Sequence, residues 1–367
     1  MDTESLFESV PNFSEGRRAD VITAIESAAR MAHWLDTDPD PDHNRVVISI
    51  AGTRAKLVEA ILASVGEAVD RIDMARHQGV HPRVGAADVV PLVPLGQTTL
   101  QECRELAQEV GERIWSELKV PVYFYGHGED RTLADIRSGR ATPSLGGPAV
   151  HPTAGAVCVG ARLTLVAFNV LLPDADVVAA RALARSLRES AGGMRGVQAL
   201  VFVLPSGQVQ LSMNLFRAAE TTPAQVIAEL ERLGVAVGAQ QVVGLCPAAA
   251  ANGAADGRLL EARLAAAAAR AAARRCEEAG SEELRALASR LSREAAALAN
   301  MAVDQDSVLA GAERSAALVA VLHAAEVGDP ELDTMLGTAS RGLRSAINDG
   351  TQALYRARLA ALDARLA

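Results

Sequence analysis

Two periods of apolar residues alternate along the first 150 positions of the chain. Helical spacing predicts helices at Ala19–Met31 and Arg54–Val69, and β-branched runs such as RVVISIAG (45–52) and VPVYFYG (120–126) predict strands. This alternation favours an α/β sheet covered by helices.

Local signals define two further elements in this region. Thr99 and Glu102 have the spacing of a capping box and predict the start of a long helix that runs to Leu118. DVVPLVPL (88–95) is apolar enough for a strand. Its two prolines lack the N–H that a β-ladder uses, which predicts an edge strand or an irregular one.

The middle of the chain has a different order. Residues 138–160 are rich in Gly, Pro, Ser and Thr, and we expect an ordered crossing between two units there because apolar residues keep recurring. From 162 to 246 the pattern predicts a split βαβ order, βαββαβ. Its elements are strand Leu163–Leu171, helix Asp174–Arg188, strand Val197–Leu204, turn PSGQ, strand Val209–Leu215, helix Pro223–Leu233 and strand Gln241–Leu245.

After about residue 255 the pattern becomes purely helical. Leu284, Leu287, Leu291, Leu298 and Met301 fall on one helical face, which predicts an all-α helical bundle appended to the α/β body. The expected segments are therefore 1–160 and 161–255, both α/β, followed by a helical segment at 256–367.

Composition narrows the functional class. The chain has 367 residues, is 49% hydrophobic and carries a net charge of −9, which argues against a nucleic-acid partner or an anionic membrane surface. No apolar run predicts a membrane span, and the N-terminus lacks the pattern of a signal peptide. The cysteines are too far apart for a zinc site or a disulfide framework, so we expect no metal and a cytoplasmic location: Cys103, Cys158, Cys246 and Cys276.

The strongest candidate for chemistry is RHQGVHPRVGAADVVP (76–91). His77 and His81 have the i, i+4 spacing of a helical metal pair, but Gly79 and Pro82 make a helix there improbable. The remaining interpretations are two surface histidines, or working residues grouped with Arg83 before a buried strand.

Two other polar stretches are candidates. DTDPDPDHNR (36–45) lacks the glycine and glutamate of a calcium loop, so it is either a surface turn or a site where Asp38 faces a cationic substrate while Arg45 opens the next strand. In VGARLTLVAFN (159–169), Gly160 allows a close backbone approach to a ligand. Arg162 is a lone charge that either holds a substrate or forms a structural ion pair.

Taken together, these stretches resemble the formiminotransferase family. The matching motifs extend over roughly residues 6–250 in the family's order, and the 72–91 block is the most specific. They are VPNFSEGR (10–17), DPDHNR (40–45), IDMARHQGVHPRVGAADVVP (72–91), VPVYFYG (120–126), GAR with AFN (160–169) and VVGLCP (242–247).

The resemblance implies two α/β subdomains stacked with their sheets facing, a homodimer or higher homo-oligomer, and transfer of a formimino group from N-formimino-L-glutamate to N5 of the co-substrate tetrahydrofolate. It implies that His81 is the catalytic acid/base, and we predict that His77 is a supporting residue. The implied folate-binding stretch is Gly160, Ala161, Arg162, Leu163, Thr164, Leu165, Val166, Ala167, Phe168 and Asn169. Leu163 and Thr164 depart from the basic, aromatic or proline residues expected there.

The implied chemistry gives each residue a task. Asp38 would stabilise the protonated amidine of the donor, and His81, titrating near neutral pH, would protonate the leaving glutamate nitrogen. Arg162, with Arg45 or Arg83, would pair with substrate carboxylates.

The tail and two alternative functions remain open at this stage. The tail resembles a shortened cyclodeaminase domain without its Gly-rich loop, so a structural or oligomerising bundle is favoured. We expect a chain cut after about Asn252 to keep transferase activity while folding or associating less stably. The alternatives are a transferase that uses another amidine or one-carbon donor, and a non-catalytic folate-binding scaffold.

Overall fold

The computed structural model describes residues 5–173 and 175–347, which form two compact units. The N-terminal unit consists of Ser5–Thr164 and Phe202–Gln208. The C-terminal unit consists of Leu165–Val201 and the described residues from Val209 onward. The segment boundaries expected at 160 and 255 stay a prediction. Asp174 and the end of the predicted helical segment, from 348, lie outside the described residues.

The N-terminal unit is built on one mixed sheet of seven strands. Its strands are β1 Leu6–Ser9, β2 Asn12–Phe13, β3 His33–Asp40, β4 Arg45–Gly52, β5 Ala87–Leu95, β6 Val122–Gly126 and β7 Val157–Ala161. Strands β5, β7 and β6 are parallel neighbours. On the other side of β5, the short strands β1 and β2 lie between β5 and β4 and run antiparallel to both, and β3 pairs with β4 at the edge.

Four helices accompany this sheet, and the helix-covered α/β architecture predicted from the sequence is confirmed. They are α1 Ala19–Ala29, α2 Arg54–Arg71, α3 Leu100–Arg113 and α4 Leu133–Arg137. The predicted capping box at Thr99 and Glu102 is present. A π-helical turn at Ile114–Leu118 extends α3 to the predicted end, where Lys119 adopts a left-handed conformation.

Two predictions in this unit were wrong in part. Strand β5 is interior, not at an edge, although it is irregular. Pro91 lies opposite the break between β1 and β2, and Pro94 lies beyond the last residue that pairs with β7, so neither missing N–H interrupts a regular ladder. The stretch 138–160 is not a crossing between units, because its last residues form β7 inside the first sheet.

The two faces of the first sheet differ in polarity. Val46, Ile48 and Ile50 of β4 pack into the hydrophobic core with residues of α1, α2 and α3. The alternate residues of the β3–β4 pair point to the opposite face, where Asp38 lies opposite Val47 and Asp40 lies opposite Arg45. We call this polar side the site face.

The second, four-stranded sheet and its two helices confirm the predicted βαββαβ order. The elements are β8 Val166–Leu171, α5 Val177–Leu187, β9 Val197–Val203, β10 Val209–Leu215, α6 Pro223–Arg232 and β11 Gln240–Val243, and the strand order is β11-β8-β10-β9. The strand predicted from Leu163 begins three residues later, at Val166.

The predicted helical tail contains α7 Leu260–Ala279, α8 Glu282–Ala299, α9 Gln305–Ala324 and α10 Pro330–Ser345. Part of their apolar surface belongs to the core of the second sheet: Leu259, Met301, Leu309 and Leu343 are in the same hydrophobic cluster as Phe168 of β8. Helix α9 is long and apolar enough to cross a membrane by length and composition, which for one helix is weak evidence.

Candidate active site

Three connecting segments of the N-terminal unit meet at one end of the site face. They are the turn after β2, the turn between β3 and β4, and the loop that precedes β5. Asn44, in the second turn, accepts a hydrogen bond from Gly16 N at 2.9 Å and donates from Nδ2 to Gln78 O at 2.8 Å. Asn44 has a φ of 49°, a left-handed conformation that asparagine tolerates better than most residues. Ser14 Oγ donates to Gly85 O at 2.7 Å.

Arg83 ties two of these segments together. Its Nε and Nη2 donate to His81 O at 3.0 and 2.9 Å, Nη2 also donates to His43 O at 2.8 Å, and Nη1 donates to Asn44 O at 3.0 Å. Nη1 also lies 2.9 Å from the ring nitrogen Nε2 of His77. A guanidinium has five N–H donors, and all five meet protein acceptors here. Arg83 therefore organises the loop and has no N–H left for the substrate carboxylate suggested from the sequence.

His77 contributes to the same loop structure through its contact with Arg83. Burial, followed by the positive charge of Arg83, lowers its pKa. A neutral ring can accept the N–H of Arg83. Gly79 fits between the two segments because a Cβ there would stand 2.5 Å from His43 O. His77 and His81 thus take separate partners, and no metal-binding cluster of His, Cys, Asp or Glu occurs in residues 5–173 and 175–347.

The tautomer of His81 follows from its contacts. Nδ1 lies 2.7 Å from the carbonyl oxygen of Pro82, which can only accept, so Nδ1 carries the hydrogen. Nε2 is then the acceptor, and Arg45 Nη1 donates to it at 3.3 Å. Burial lowers the pKa of His81 to about 2, and the positive charges of Arg45 and Arg137 add to the effect. The isolated site therefore holds a neutral imidazole, whereas the sequence led us to expect a group that titrates near neutrality.

Arg45 occupies the start of β4, directly opposite Asp40 of β3. Burial lowers its pKa, while the carboxylates of Asp88, Asp40 and Asp38 oppose that change. Asp38 is buried, with 8% of its surface exposed, and lies on the same face two residues before Asp40. The structure thus brings together the predicted residues Asp38, Arg45 and His81.

Sequence reasoning missed His43, although it lies inside the DPDHNR motif. Its Nδ1 is 2.7 Å from Asp40 Oδ2, and its backbone N–H donates to Asp40 Oδ1 at 2.9 Å. Burial raises the pKa of Asp40, but the hydrogen bonds from His43 and the charge of Arg45 outweigh it, so the net pKa is lowered. The ring of Phe202 packs against both imidazoles, with centroids 5.1 Å from His43 and 5.7 Å from His81.

A second missed pair is Asp88 and Arg137. Asp88 is buried with 1% exposure; its Oδ1 accepts from Val84 N at 2.7 Å and its Oδ2 accepts from Arg137 Nη2 at 2.6 Å. The aspartate lies in the specific 72–91 block, which was the available signal. Arg137 has no sequence signal that distinguishes it from the other arginines nearby.

The implied folate-binding stretch is divided between the units. Gly160 and Ala161 end β7 and are buried, and a Cβ on Gly160 would collide with the carbonyl oxygen of Tyr125 on β6. Arg162 N donates to Leu92 O and its Nη1 donates to Leu163 O, both at 3.0 Å. The exposed Leu163 and the half-buried Thr164 complete the part in the N-terminal unit. The C-terminal unit contains the other five residues: Leu165, Val166, Ala167, Phe168 and Asn169.

Phe168 and Asn169, in the part of this stretch that belongs to the C-terminal unit, lie on opposite faces of the second sheet. Phe168 lies in the hydrophobic core of the C-terminal unit. Asn169, 6% exposed, points to the other face of the same sheet and donates from Nδ2 to Gln241 Oε1 at 3.3 Å. Asn169 is thus the residue of this part best suited to a polar contact.

Comparisons with known proteins show the family. The profile described as formiminotransferase domain, N-terminal subdomain, matches residues 6–162. A glutamate formimidoyltransferase of Streptococcus pyogenes serotype M1 is 37% identical over 273 residues, which cover 67% of this chain and 90% of that relative. The chain belongs to the glutamate formimidoyltransferase family. The family predicted from the motifs is confirmed.

Other members of the glutamate formimidoyltransferase family extend the comparison. The glutamate formimidoyltransferase of Thermoplasma acidophilum is 38% identical over 269 residues, 66% of this chain and 88% of the relative. The formimidoyltransferase-cyclodeaminase of Gallus gallus is 37% identical over 273 residues, which cover 66% of this chain but 50% of that protein. A solved microcompartment protein from Desulfitobacterium hafniense DCB covers 65% of this chain and 93% of its own at 9% identity, with a TM-score of 0.18, too low to support an argument.

Proposed function

We propose that this chain transfers the formimino group of N-formimino-L-glutamate to N5 of tetrahydrofolate, with His81 as the proton-transfer residue. The observation that carries this proposal is a neutral imidazole whose unprotonated Nε2 atom accepts a hydrogen bond from Arg45, next to buried carboxylates. Membership of the formimidoyltransferase family supplies the reaction class and a folate substrate. The comparisons give no support to a different donor or to a non-catalytic scaffold.

Asp38 is proposed to stabilise the donor. The formimino group is an amidine, and its carbon becomes strongly electrophilic when the group is protonated. A buried carboxylate favours such a cation because the low dielectric of the surroundings strengthens their attraction. Asp38 is buried on the site face and acts electrostatically on Arg45, which contacts His81.

The neutral state of His81 defines the order of proton transfers. N5 of tetrahydrofolate attacks the formimino carbon, forming the N5–C bond while the C=N electron pair moves to the amidine nitrogen. His81 Nε2 accepts the proton that N5 loses and then donates it to the glutamate nitrogen as the C–N bond breaks. The products are glutamate and 5-formiminotetrahydrofolate. A positioned base that returns its proton as an acid contributes typically ~10²–10⁴-fold to the rate.

The substrates carry carboxylates, which require cations in an acidic protein. Arg45 and Arg162 are proposed for this task, because Arg162 forms no ion pair with residues 5–173 or 175–347 and Arg45 lies at His81. The stretch 160–169 is proposed as the folate-binding segment, with Asn169 as its polar contact.

A homodimer or higher homo-oligomer and a cytoplasmic location are also proposed. The location is supported by four free, buried cysteines.

We propose a structural role for helices α7–α10. Leu259, Met301, Leu309 and Leu343 complete the hydrophobic core beside β8, so the helices stabilise the second sheet. The matches to the family cover about two thirds of this chain.

The reaction is tested with purified chain, tetrahydrofolate and N-formimino-L-glutamate, by following 5-formiminotetrahydrofolate by mass spectrometry. Formation of the adduct by the wild-type chain, with loss in His81→Gln, supports the proposal. His323→Gln is the matched control, since His323 lies on α9 and 62% of its side chain is exposed. Absence of the adduct, or an undiminished rate in His81→Gln, would overturn it. Conversion of the adduct to 5,10-methenyltetrahydrofolate with release of ammonia would show that the helices are catalytic.

A further inference from the structure

Arg137 is held in place by its own helix and by an ion pair with Asp88. It is the last residue of α4, whose start is defined by a capping box between Thr132 and Asp135. Its Nη2 donates to Asp88 Oδ2 at 2.6 Å, and Asp88 is itself held by Val84 N at 2.7 Å. Val84 comes three residues after His81, so the ion pair connects α4 to the loop before β5 that carries His81.

Not all N–H donors of the Arg137 guanidinium have a hydrogen-bond partner among the described residues. Its Nε is buried and has no hydrogen-bond partner among residues 5–173 and 175–347. The hydroxyl of Tyr125, on β6, is also buried; it lies close to the side chain of Arg162 but forms no well-aligned hydrogen bond with the residues in the same part of the chain. Buried polar groups are normally paired, so two unpaired groups next to a site indicate a missing ligand. Tyr125 packs in the same hydrophobic cluster as Ile136, the residue that precedes Arg137 on α4, which places these groups near one another.

The local charge balance indicates that this ligand is an anion. Arg45 and Arg137 both act on His81 as positive charges. Asp88 is the carboxylate that compensates Arg137, and it also compensates Arg45 and Arg83. An incoming carboxylate would reduce this excess positive charge, and it would receive an N–H from the arginine and an O–H from the tyrosine.

We infer that Arg137, together with the hydroxyl of Tyr125, binds the α-carboxylate of the formimino donor. This inference rests on the proposed function. In an N-formimino amino acid, one carbon separates the α-carboxylate from the nitrogen that leaves, so the carboxylate must lie close to the residue that protonates that nitrogen. The glutamate end of folate is separated from N5 by the pterin and aminobenzoyl groups. Cations around His81 are therefore in reach of the donor carboxylate.

The test compares two ligands by calorimetric titration: N-formimino-L-glutamate, and 4-formiminobutyrate, which has the same chain without the α-carboxylate. Arg137→Gln should weaken binding of the first ligand roughly 10- to 100-fold, the loss expected for a charge-assisted hydrogen bond, and leave the second nearly unchanged. Arg137→Lys keeps the ion pair with Asp88 and should give a smaller loss. Tyr125→Phe, which removes only the hydroxyl, should also weaken the first ligand selectively.

Arg140→Gln is the matched control, because Arg140 is three residues away and 79% of its side chain is exposed. Equal losses for both ligands, or no loss for N-formimino-L-glutamate, would overturn the inference. If Arg137→Gln does not fold, the result with Arg137→Lys and Tyr125→Phe decides by the same criterion. Selective binding of the donor without any adduct in the transferase assay would leave this inference standing and refute the proposed function.

Discussion

Arg45 Nη1 donates to Nε2 of His81 at 3.3 Å, so a permanent cation contacts the one ring nitrogen that is free to accept a proton. The contact favours the neutral ring in the free protein. A substrate carboxylate that pairs with Arg45 would weaken this effect and make the ring more basic. The same histidine can then accept a proton and return it within one catalytic cycle.

His81 and His77 should differ strongly in their effect on turnover. His81→Ala removes the proton-transfer group and should lower kcat by ~10²–10⁴-fold, with little change in the affinity for tetrahydrofolate. His77→Ala should be milder, because His77 contacts Arg83 and not the reacting groups. Steady-state kinetics together with equilibrium binding of tetrahydrofolate measure both. Near-normal turnover in His81→Ala would contradict the mechanism.

Acid should destabilise the N-terminal unit through His81. The pKa is 6.5 in the unfolded chain and about 2 in the folded one, so between these values only the unfolded chain binds this proton. Stability is therefore complete above pH 6.5 and decreases as the pH falls, by at most about 1.4 kcal/mol per pH unit for one proton. The lowered pKa of His77 acts in the same direction.

Urea unfolding followed by tryptophan fluorescence measures this effect, because Trp34 and Trp115 both pack against the core of the N-terminal unit. Between pH 6 and pH 4, a range of ~2 pH units that lies between the unfolded and folded pKa values of His81, the stability of His81→Gln should decrease less than that of the wild type. His127→Gln is the control, since His127 is exposed and follows β6. Identical pH profiles for His81→Gln and the wild type would show that His81 does not cause the acid sensitivity.

Arg162→Lys should separate substrate binding from structure. Lysine keeps the charge but loses the planar fork that pairs with a carboxylate, so we expect a raised KM with an unchanged melting temperature. Arg131→Lys, on the loop before α4, is a control because its Nη1 donates to the backbone at Thr142 O. A lower melting temperature with unchanged kinetics would instead indicate a structural arginine.

Arg83→Lys should affect structure rather than substrate binding, in contrast to Arg162→Lys. Arg83 uses five N–H donors within the protein, and lysine offers three with different geometry, so the loop that carries His81 should loosen. We expect a lower melting temperature and a reduced kcat. Arg76→Lys is the control, since 89% of the Arg76 side chain is exposed. A pure KM effect in Arg83→Lys would contradict this assignment.

Removing the helices should unfold the C-terminal unit. A cut after Asn252 deletes Met301, Leu309 and Leu343 from the core that they share with Phe168, so we now expect the truncated chain to lose activity as well as stability. Leu309→Ala tests the same core in the full chain and should cost ~2–5 kcal/mol. Val319→Ala, half-buried on the same helix, is the control. A soluble truncated chain that unfolds cooperatively and still forms the adduct would refute this prediction.

The sequence by itself determined the family and most of the order of elements, and it predicted a role for His81. Hydrophobic periodicity and capping signals are local properties, so the Thr99 capping box, the split βαβ order and the helical tail could be predicted. The strand β7 was missed because VCVGA is short and follows a stretch rich in glycine and proline, which hides its pairing with β5 and β6.

Only the tertiary structure decided what the charged residues do. The tautomer and low pKa of His81 depend on burial and on Arg45 and Arg137, which are distant in sequence. Arg83 was a candidate substrate ligand until its five donors were seen on protein acceptors, and Arg137 carried no signal until its pairing with Asp88 was seen across 49 residues. The physical reason is that electrostatic energies depend on distance and burial in space, which sequence spacing does not specify.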